Sequence, residues 1–506
     1  MTSPLVERLA AIARSDRIAV EDDRGRLTFA ELWDRAHRAR AALTTGAPSL
    51  EGRSVAILVS PGAGFLAAFL GTILAGGVAV PLSPLYPPGE LAWFGEDARA
   101  AIVVVSDDLR DRAAQLAEGR RVLRAETLCD GPRPAEDLVP SEGDDVALLL
   151  YTSGTTGKPK GAMITHANVA MQALLLREAW GWREDDLLLH ALPLHHLHGL
   201  GISLMTSVLA GGSTRMLPRF DARRVWEEFA GPRPPSAWMA VPTMYQKLFE
   251  ALDAVDEATR ARWAEGARRL RIATSGSAAL PVTLAERWRA VTGAIPLERF
   301  GMTEIGVGMS NPLDPAGRRA GHVGFPLRTV EMRIVDEAGS DLEKGPGELW
   351  VRGPSIFKGY LGREEATRAA FAPGGWFRTG DVAELSAEGH VRLLGRTSVD
   401  ILKSGGYKLS ALEIEEALRE NAAVAEVAVV GVPDETWGDR VVAVVVPAPG
   451  GAAACASEPL RAWAKERIAA YKVPREVIVV EALPRNALGK VVKPEVVRAI
   501  RAGELR

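Results

Sequence analysis

The amino-acid sequence predicts an α/β fold: a large N-terminal domain of layered α/β sheets with a small β-barrel-like part, and a smaller α+β C-terminal domain. Three changes of texture along the chain predict it. Strand-like apolar runs alternate with helical ones through roughly the first three hundred residues, as in layers built on parallel sheets. After Gly321 come short β-rich pieces parted by Gly and Pro, the pattern of a small barrel or antiparallel sheet. Beyond Arg396 a helix, two strands and a second helix make a unit of about a hundred residues, an ordinary domain size. The boundaries drawn on this basis are 1–396 and 397–506. A chain of 506 residues is in any case too long for one core.

The elements follow in order. Residues 1–20 scatter Glu7, Arg8, Arg14, Asp16 and Arg17 among short apolar runs, which predicts a first surface helix rather than a secretory signal, with a weak amphipathic presequence as the alternative. No charge occurs between Arg53 and Glu90, a length that raises the question of a membrane span. Pro61, Gly62 and Gly64, then Gly76, Gly77 and Pro81, divide that stretch. The pieces predict strand 54–60, helix 63–75 and strand 78–82, a β-α-β unit buried on both faces, with no membrane contact. Further strands are expected at 102–106, 146–151 and 187–192, and helices at 167–178, 225–229 and 284–291. The β-rich part supplies 330–335, 347–352 and 389–394. The last unit supplies helix 412–420, strands 425–432 and 440–446, and helix 458–468, with an Ala/Gly-rich surface loop at 449–456.

Bulk properties exclude several classes. Hydrophobic residues at 47% and charged residues at 25% are those of a soluble globular chain. A net charge of −3 without a basic stripe offers nucleic acid no footprint. Cys129 and Cys455 are too far apart for a metal or redox motif and do not make a disulfide framework, so a reducing, cytoplasmic setting is expected.

The strongest chemical signal is Tyr151-Thr-Ser-Gly-Thr-Thr-Gly-Lys-Pro-Lys160-Gly161, directly after an apolar strand. Small hydroxyl residues and glycines let backbone N–H groups approach phosphate oxygens, and Lys158 and Lys160 add positive charge. It is not a Walker A loop: only two residues separate Gly154 from Gly157, and Pro follows the Lys.

This segment, Thr152, Ser153, Gly154, Thr155, Thr156, Gly157, Lys158 and Lys160 included, resembles the phosphate loop of the adenylate-forming superfamily. That superfamily holds acyl-CoA synthetases, firefly luciferase and peptide-synthetase adenylation domains. The remaining signatures follow in the same order, so the resemblance covers nearly the whole chain. Arg299-Phe-Gly-Met-Thr-Glu304 is similar to the second signature, in which the resemblance implies that Glu304 holds Mg²⁺ and Thr303 contacts the phosphate under substitution. Charge building on an attacked α-phosphate calls for such a metal and oriented donors. Trp376-Phe-Arg-Thr-Gly-Asp381 resembles the ribose motif, where a carboxylate's two acceptor oxygens suit a vicinal diol, and Arg396 resembles the arginine that also reaches the ribose. Ser275-Gly-Ser277-Ala278 is similar to the loop against adenine. Pro484-Arg-Asn-Ala-Leu-Gly-Lys490 matches the mobile catalytic lysine, which stabilises charge as it shifts to the leaving group. Ser404, Gly405 and Gly406 resemble the loop lining the pantetheine tunnel once the C-terminal domain has rotated. The hinge is expected within 396–400, and this segment is one residue longer before Ser404 than the commonest version.

Two features bear on the acid. Arg299 stands just before the aromatic-Gly pair, where many relatives are neutral; a guanidinium there is costly against an alkyl chain and favourable against a second carboxylate. Leu192-Pro-Leu-His-His-Leu-His198 puts three imidazoles near the pocket, with His196 at the position that gates carboxylate entry. Both segments resemble the malonyl-CoA synthetase branch, and Ser275 joins Arg299 and His196 as an expected substrate contact. The alternative pairs Arg299 with Glu298, away from substrate. The resemblance therefore implies an ATP-dependent acid:CoA ligase that uses ATP, Mg²⁺ and coenzyme A on a small dicarboxylic acid, malonate or methylmalonate, with a mobile C-terminal domain and no obligate protein partner. Rival expectations are a ligase for a monocarboxylic acid and a catalytically silent nucleotide- or acyl-binding protein.

Overall fold

A computed structural model describes residues 3–45, 47–134, 139–152, 159–485 and 491–505. Two large sheets and one small one make the N-terminal domain. The seven-stranded sheet runs Gly359–Tyr360, Lys160–Thr165, Val146–Thr152, Val78–Pro81, Ser54–Leu58, Ala100–Val105, Arg121–Arg124. Its last five strands are parallel; the first two joins are antiparallel. The uncharged stretch after Arg53 is thus a buried β-α-β unit, as its glycines and prolines predict. Among the described residues no helix is long and apolar enough to cross a membrane. The helix Ala63–Leu74 is nearly all buried and meets the helix Phe29–Thr44 so closely that a Cβ at Gly71 would lie 2.6 Å from that of Ala39.

The nine-stranded sheet is parallel at its centre and bears antiparallel strands at both ends. Ile272–Ser275 lies beside Leu297–Met302, which turns back on Gly306–Ser310. The site hangs on this end of the sheet. The β-rich part after Gly321 is a five-stranded antiparallel sheet, with Trp376–Leu385 at its heart and Val391–Arg396 beside it.

The C-terminal domain has its own sheet and two cores. In Val424–Asp434 the side chains of Val427 and Val429 enter one core and those of Ala428, Val430 and Val432 the other. A strand covered on both faces reads as a continuous valine run, which is what the sequence carries. Helices Ala411–Arg419 and Ser457–Lys465 cover the first face, and Lys493–Arg501 the second. The 449–456 loop is not wholly superficial: Cys455 is fully buried in the first core, because its thiol reaches the Ala423 carbonyl.

Candidate active site

Glu304 sits on the turn between Leu297–Met302 and Gly306–Ser310, so the register of two antiparallel strands fixes it. Its backbone carbonyl accepts from Phe357 N–H at 2.8 Å, and its Oε1 accepts from the Tyr360 hydroxyl at 2.8 Å. The carboxylate is buried, and among the described residues no other group donates to it. Tyr360 lies on a short strand paired with Lys160–Thr165, and the Lys160 ammonium stands 5.2 Å over its ring. One tyrosine thus joins the far end of the phosphate loop to Glu304. Burial and the adjoining Glu304 carboxylate hold the Tyr360 phenol above its ordinary range, so it stays a donor.

Asp381 stands mid-strand and pairs in register with Arg396 on Val391–Arg396. Arg396 Nε lies 3.4 Å from Asp381 Oδ1, while Asp381 Oδ2 is buried with no hydrogen-bond partner among the described residues. Burial raises the carboxyl to about 6, with Asp400 and Glu304 pushing the same way against Arg396. A buried acceptor kept unpaired costs free energy unless something donates to it.

On the other flank, Arg299 is 4% exposed and Glu298 also 4%, yet they do not pair with each other. Glu298 Oε1 accepts the Gly321 N–H at 3.0 Å, and burial lifts its carboxyl to about 8. The Arg299 guanidinium lies against Gly276, and its Nε and Nη2 are buried with no hydrogen-bond partner among the described residues. Burial alone lowers its pKa to about 10, still far above neutrality, so the charge remains. Ser275 Oγ, on the neighbouring strand, is likewise buried and unpartnered. Ser277 takes φ of +68°, rare for a side chain with a Cβ, and its hydroxyl lies 3.1 Å from His198 Nδ1. His195 and His196 are tilted to each other at 49° with centroids 4.2 Å apart, and burial, followed by the neighbouring His196, lowers His195 to about 3. These imidazoles are therefore polar but neutral company at pH 7 in the case of His195.

The remaining expected residues fall into two groups. Ser153, Gly154, Thr155, Thr156, Gly157, Lys158 and Lys490 lie outside the described residues, though Thr152 and Lys160 mark the ends of the first segment. Thr303 lies beside Glu304, partly exposed. Ser404, Gly405 and Gly406 form a hairpin turn with φ of +58° and +83° at the two glycines. That turn packs on Trp437 of its own domain, and Gly405 N–H donates to the Trp437 carbonyl.

Sequence reasoning missed four residues. Tyr360 carries no motif; only its Gly359 neighbour and strand-like surroundings hint at a fixed place. Gly276 was read for adenine, not for the guanidinium it accommodates. Lys493, three residues after Lys490, bridges Asp400 at 2.5 Å and Glu415 at 2.7 Å, tying the last helix to the 396–400 segment expected to hinge. Glu416, on Ala411–Arg419, reaches the N-terminal domain and accepts from Val282 N–H at 2.6 Å.

Comparison with known proteins follows the same lines. Residues 7–361 match the AMP-binding enzyme family and residues 413–490 the AMP-binding enzyme C-terminal domain. The mitochondrial malonate–CoA ligase ACSF3 of Mus musculus is 41% identical over 97% of this chain and 90% of its own. The ATP-bound crystal structure of MatB from Rhodopseudomonas palustris superposes with a TM-score of 0.89 at 35% identity, covering 99% of both chains. A malonyl-CoA ligase in ternary product complex with methylmalonyl-CoA and AMP is 38% identical and covers 94% of this chain and 98% of its own, yet scores only 0.68. The higher identity thus goes with the poorer superposition.

Proposed function

We propose that this chain, which belongs to the AMP-binding enzyme family and is an AMP-forming acid:CoA ligase, takes malonate as its acid, with methylmalonate as the near variant. The observation that carries the reading is Arg299: a permanently charged group, buried, with no partner for Nε and Nη2 among the described residues. Burying an unpaired charge is too expensive to persist without use, and a planar carboxylate is the ligand that satisfies two guanidinium N–H groups at once. A monocarboxylic acid would leave that charge facing hydrocarbon. The relatives named as malonate–CoA ligases support the same assignment.

The reaction we infer has two halves. In the first, Arg299 and Ser275 hold the distal carboxylate, His196 stands at the entry, and Asp381 with Arg396 accepts and positions the ribose hydroxyls. Thr152 to Lys160, with Ser153–Lys158 between them, cradle the phosphates, Thr303 contacts the α-phosphate, Ser277 lines the adenine, and Lys490 stabilises the oxygens that gain charge. Glu304 fits a Mg²⁺ ligand, since Tyr360 takes one carboxylate oxygen and leaves the other, a hard donor of the kind Mg²⁺ prefers; the ion would offset phosphate charge. The near carboxylate attacks the α-phosphorus, a C(O)–O–P bond forms, the α–β bridging P–O bond breaks and pyrophosphate leaves. In the second half the C-terminal domain, which we bound at 396/397, rotates within 396–400 and brings the Ser404–Gly406 turn to the site. The thiol of coenzyme A then loses its proton to solvent, its sulfur bonds the acyl carbon, and AMP leaves. The better superposition on an ATP-bound relative supports reading the present arrangement as that of the first half. A reducing, cytoplasmic setting belongs to the same reading, supported by two free cysteines.

The test incubates the protein with ATP, Mg²⁺, coenzyme A and one acid at a time: malonate, methylmalonate, succinate, acetate, octanoate or benzoate. Thioesters are followed by mass spectrometry. Malonate or methylmalonate should give product while acetate and octanoate give little. Preferential turnover of a monocarboxylate would sink the malonate assignment and leave the ligase standing.

A further inference from the structure

The helix Val282–Thr292 begins directly after the adenine loop, and its own start is bare. Pro281 stands at its N-cap and offers no side-chain acceptor, so the first N–H groups have no partner from their own segment. The acceptor comes from the other domain. Glu416 Oε1, on the helix Ala411–Arg419, accepts Val282 N–H at 2.6 Å, and Thr283 N–H is directed at the same carboxylate. A carboxylate is the group that a helix start favours most, by hydrogen bond and by dipole together.

The contact continues inward. The Val282 side chain lies 3.1 Å from the position a Cβ would take at Gly321, a residue with φ of +71°. Gly321 N–H is held by Glu298 Oε1 at 3.0 Å, and Glu298 precedes Arg299 in the same strand. Glu416 therefore touches the N-terminal domain at the head of a short path of packed residues that ends beside the acid pocket. Lys408 and Glu337 also bridge the domains at 2.6 Å, but through side chains 59% and 80% exposed, where an ion pair is screened and worth little, and the Ser410 hydroxyl donates to the Leu394 carbonyl at 2.6 Å close to the expected pivot.

We propose that Glu416 is a positioning residue for the first half-reaction: by capping Val282–Thr292 from the opposite domain, it latches the C-terminal domain in the arrangement that adenylates. The cap is complete only while the domains are docked in this way. Rotation about 396–400 carries Glu416 off, re-exposes the helix start to water and ends the latch. Removing the carboxylate thus shifts the balance of arrangements against adenylation and leaves thioester formation untouched. This inference rests on the two-half reading given above.

The test uses the full chain, wild type, Glu416→Gln and Glu416→Ala. One assay measures pyrophosphate release from ATP and malonate without coenzyme A; another measures thioester formation from supplied malonyl-AMP and coenzyme A. A third follows hydrogen exchange at Val282 and Thr283 with ATP bound. In Glu416→Ala, pyrophosphate release should fall about five- to tenfold, the loss expected for a cap, while thioester formation stays level or rises. Exchange at the two amides should quicken by a similar factor, with Glu416→Gln in between. Equal losses in both half-reactions, no loss in either, or unchanged exchange overturns the latch. Wild type inactive on malonate overturns the substrate reading instead, and the exchange measurement still decides the latch.

Discussion

The guanidinium of Arg299 lies so close to Gly276 that a Cβ there would stand 2.4 Å from its Cζ and Nε. Two strands neighbouring in the sheet thus supply a charge and the gap that accommodates it.

The first prediction concerns that gap. Gly276→Ala should force the guanidinium out of place and lower kcat/KM for malonate by roughly a hundredfold, the scale of losing one side of a buried charge pair. Arg299→Met should do the same by another route. In thermal melts without ligand, though, Arg299→Met should be as stable as wild type or more so, by about 1–4 kcal/mol, because it removes an uncompensated buried charge. A variant that melts early would mean that Arg299 serves the fold rather than the acid.

Glu298 gives the second. Its folded carboxyl titrates at about 8 instead of near 4.5, burial being the main cause, so the folded chain retains a proton that the unfolded chain gives up. Stability from this group is therefore present at low pH and declines as pH rises from about 4.5 through 8. Glu298→Gln keeps an acceptor for Gly321 N–H without a titrating proton. Its stability should match wild type near pH 5 and exceed it near pH 9. Urea melts at the two values check this; parallel curves would place the proton elsewhere.

Lys493→Met provides the third. Lys493 is 11% exposed and bridges Asp400 and Glu415, which are 15% and 5% exposed. Removing the ammonium leaves Glu415 to Arg419 and the Val429 N–H, and leaves Asp400 to the Arg396 N–H without a counter-charge, a loss of about 3 kcal/mol. Melting monitored by Trp437 and Trp463 fluorescence should move down, and added Glu415→Gln should restore part of it. No shift would show that water already screens the trio.

Tyr360→Phe is the fourth. Without the hydroxyl, Glu304 Oε1 loses its 2.8 Å donor and the carboxylate is free to swing. The Mg²⁺ concentration for half-maximal pyrophosphate release should rise about tenfold, as expected for a hydrogen bond to a charged group. A change in kcat at saturating Mg²⁺ with no change in that concentration would argue against a role at the metal.

Much of this was legible in the chain because it rests on local pattern. The valine-dense 424–434 strand, the glycine-divided 54–82 unit and the texture change after Gly321 follow from periodicity and turn chemistry, which act within a few residues. Arg299 stood out because it sits just before the aromatic-Gly pair, where many members of the resembled family are neutral. The partners did not. Tyr360 meets Glu304 across 56 residues and Glu416 meets Val282 across 134, distances that only tertiary pairing sets. Glu298 invited an ion pair with its neighbour Arg299, yet a strand sends adjacent side chains to opposite faces, so the pair never forms.

That alternation reaches beyond chemistry. Glu298 and Arg299 are consecutive codons, one held by the Gly321 amide on the path to Glu416 and the other lying against Gly276 in what we propose is the acid pocket. A lineage can exchange the second without disturbing the first, so the preference for an acid is free to drift by single substitutions while the inherited motion stays intact. Descendants that take quite different acids are then expected to keep the same mechanical parts.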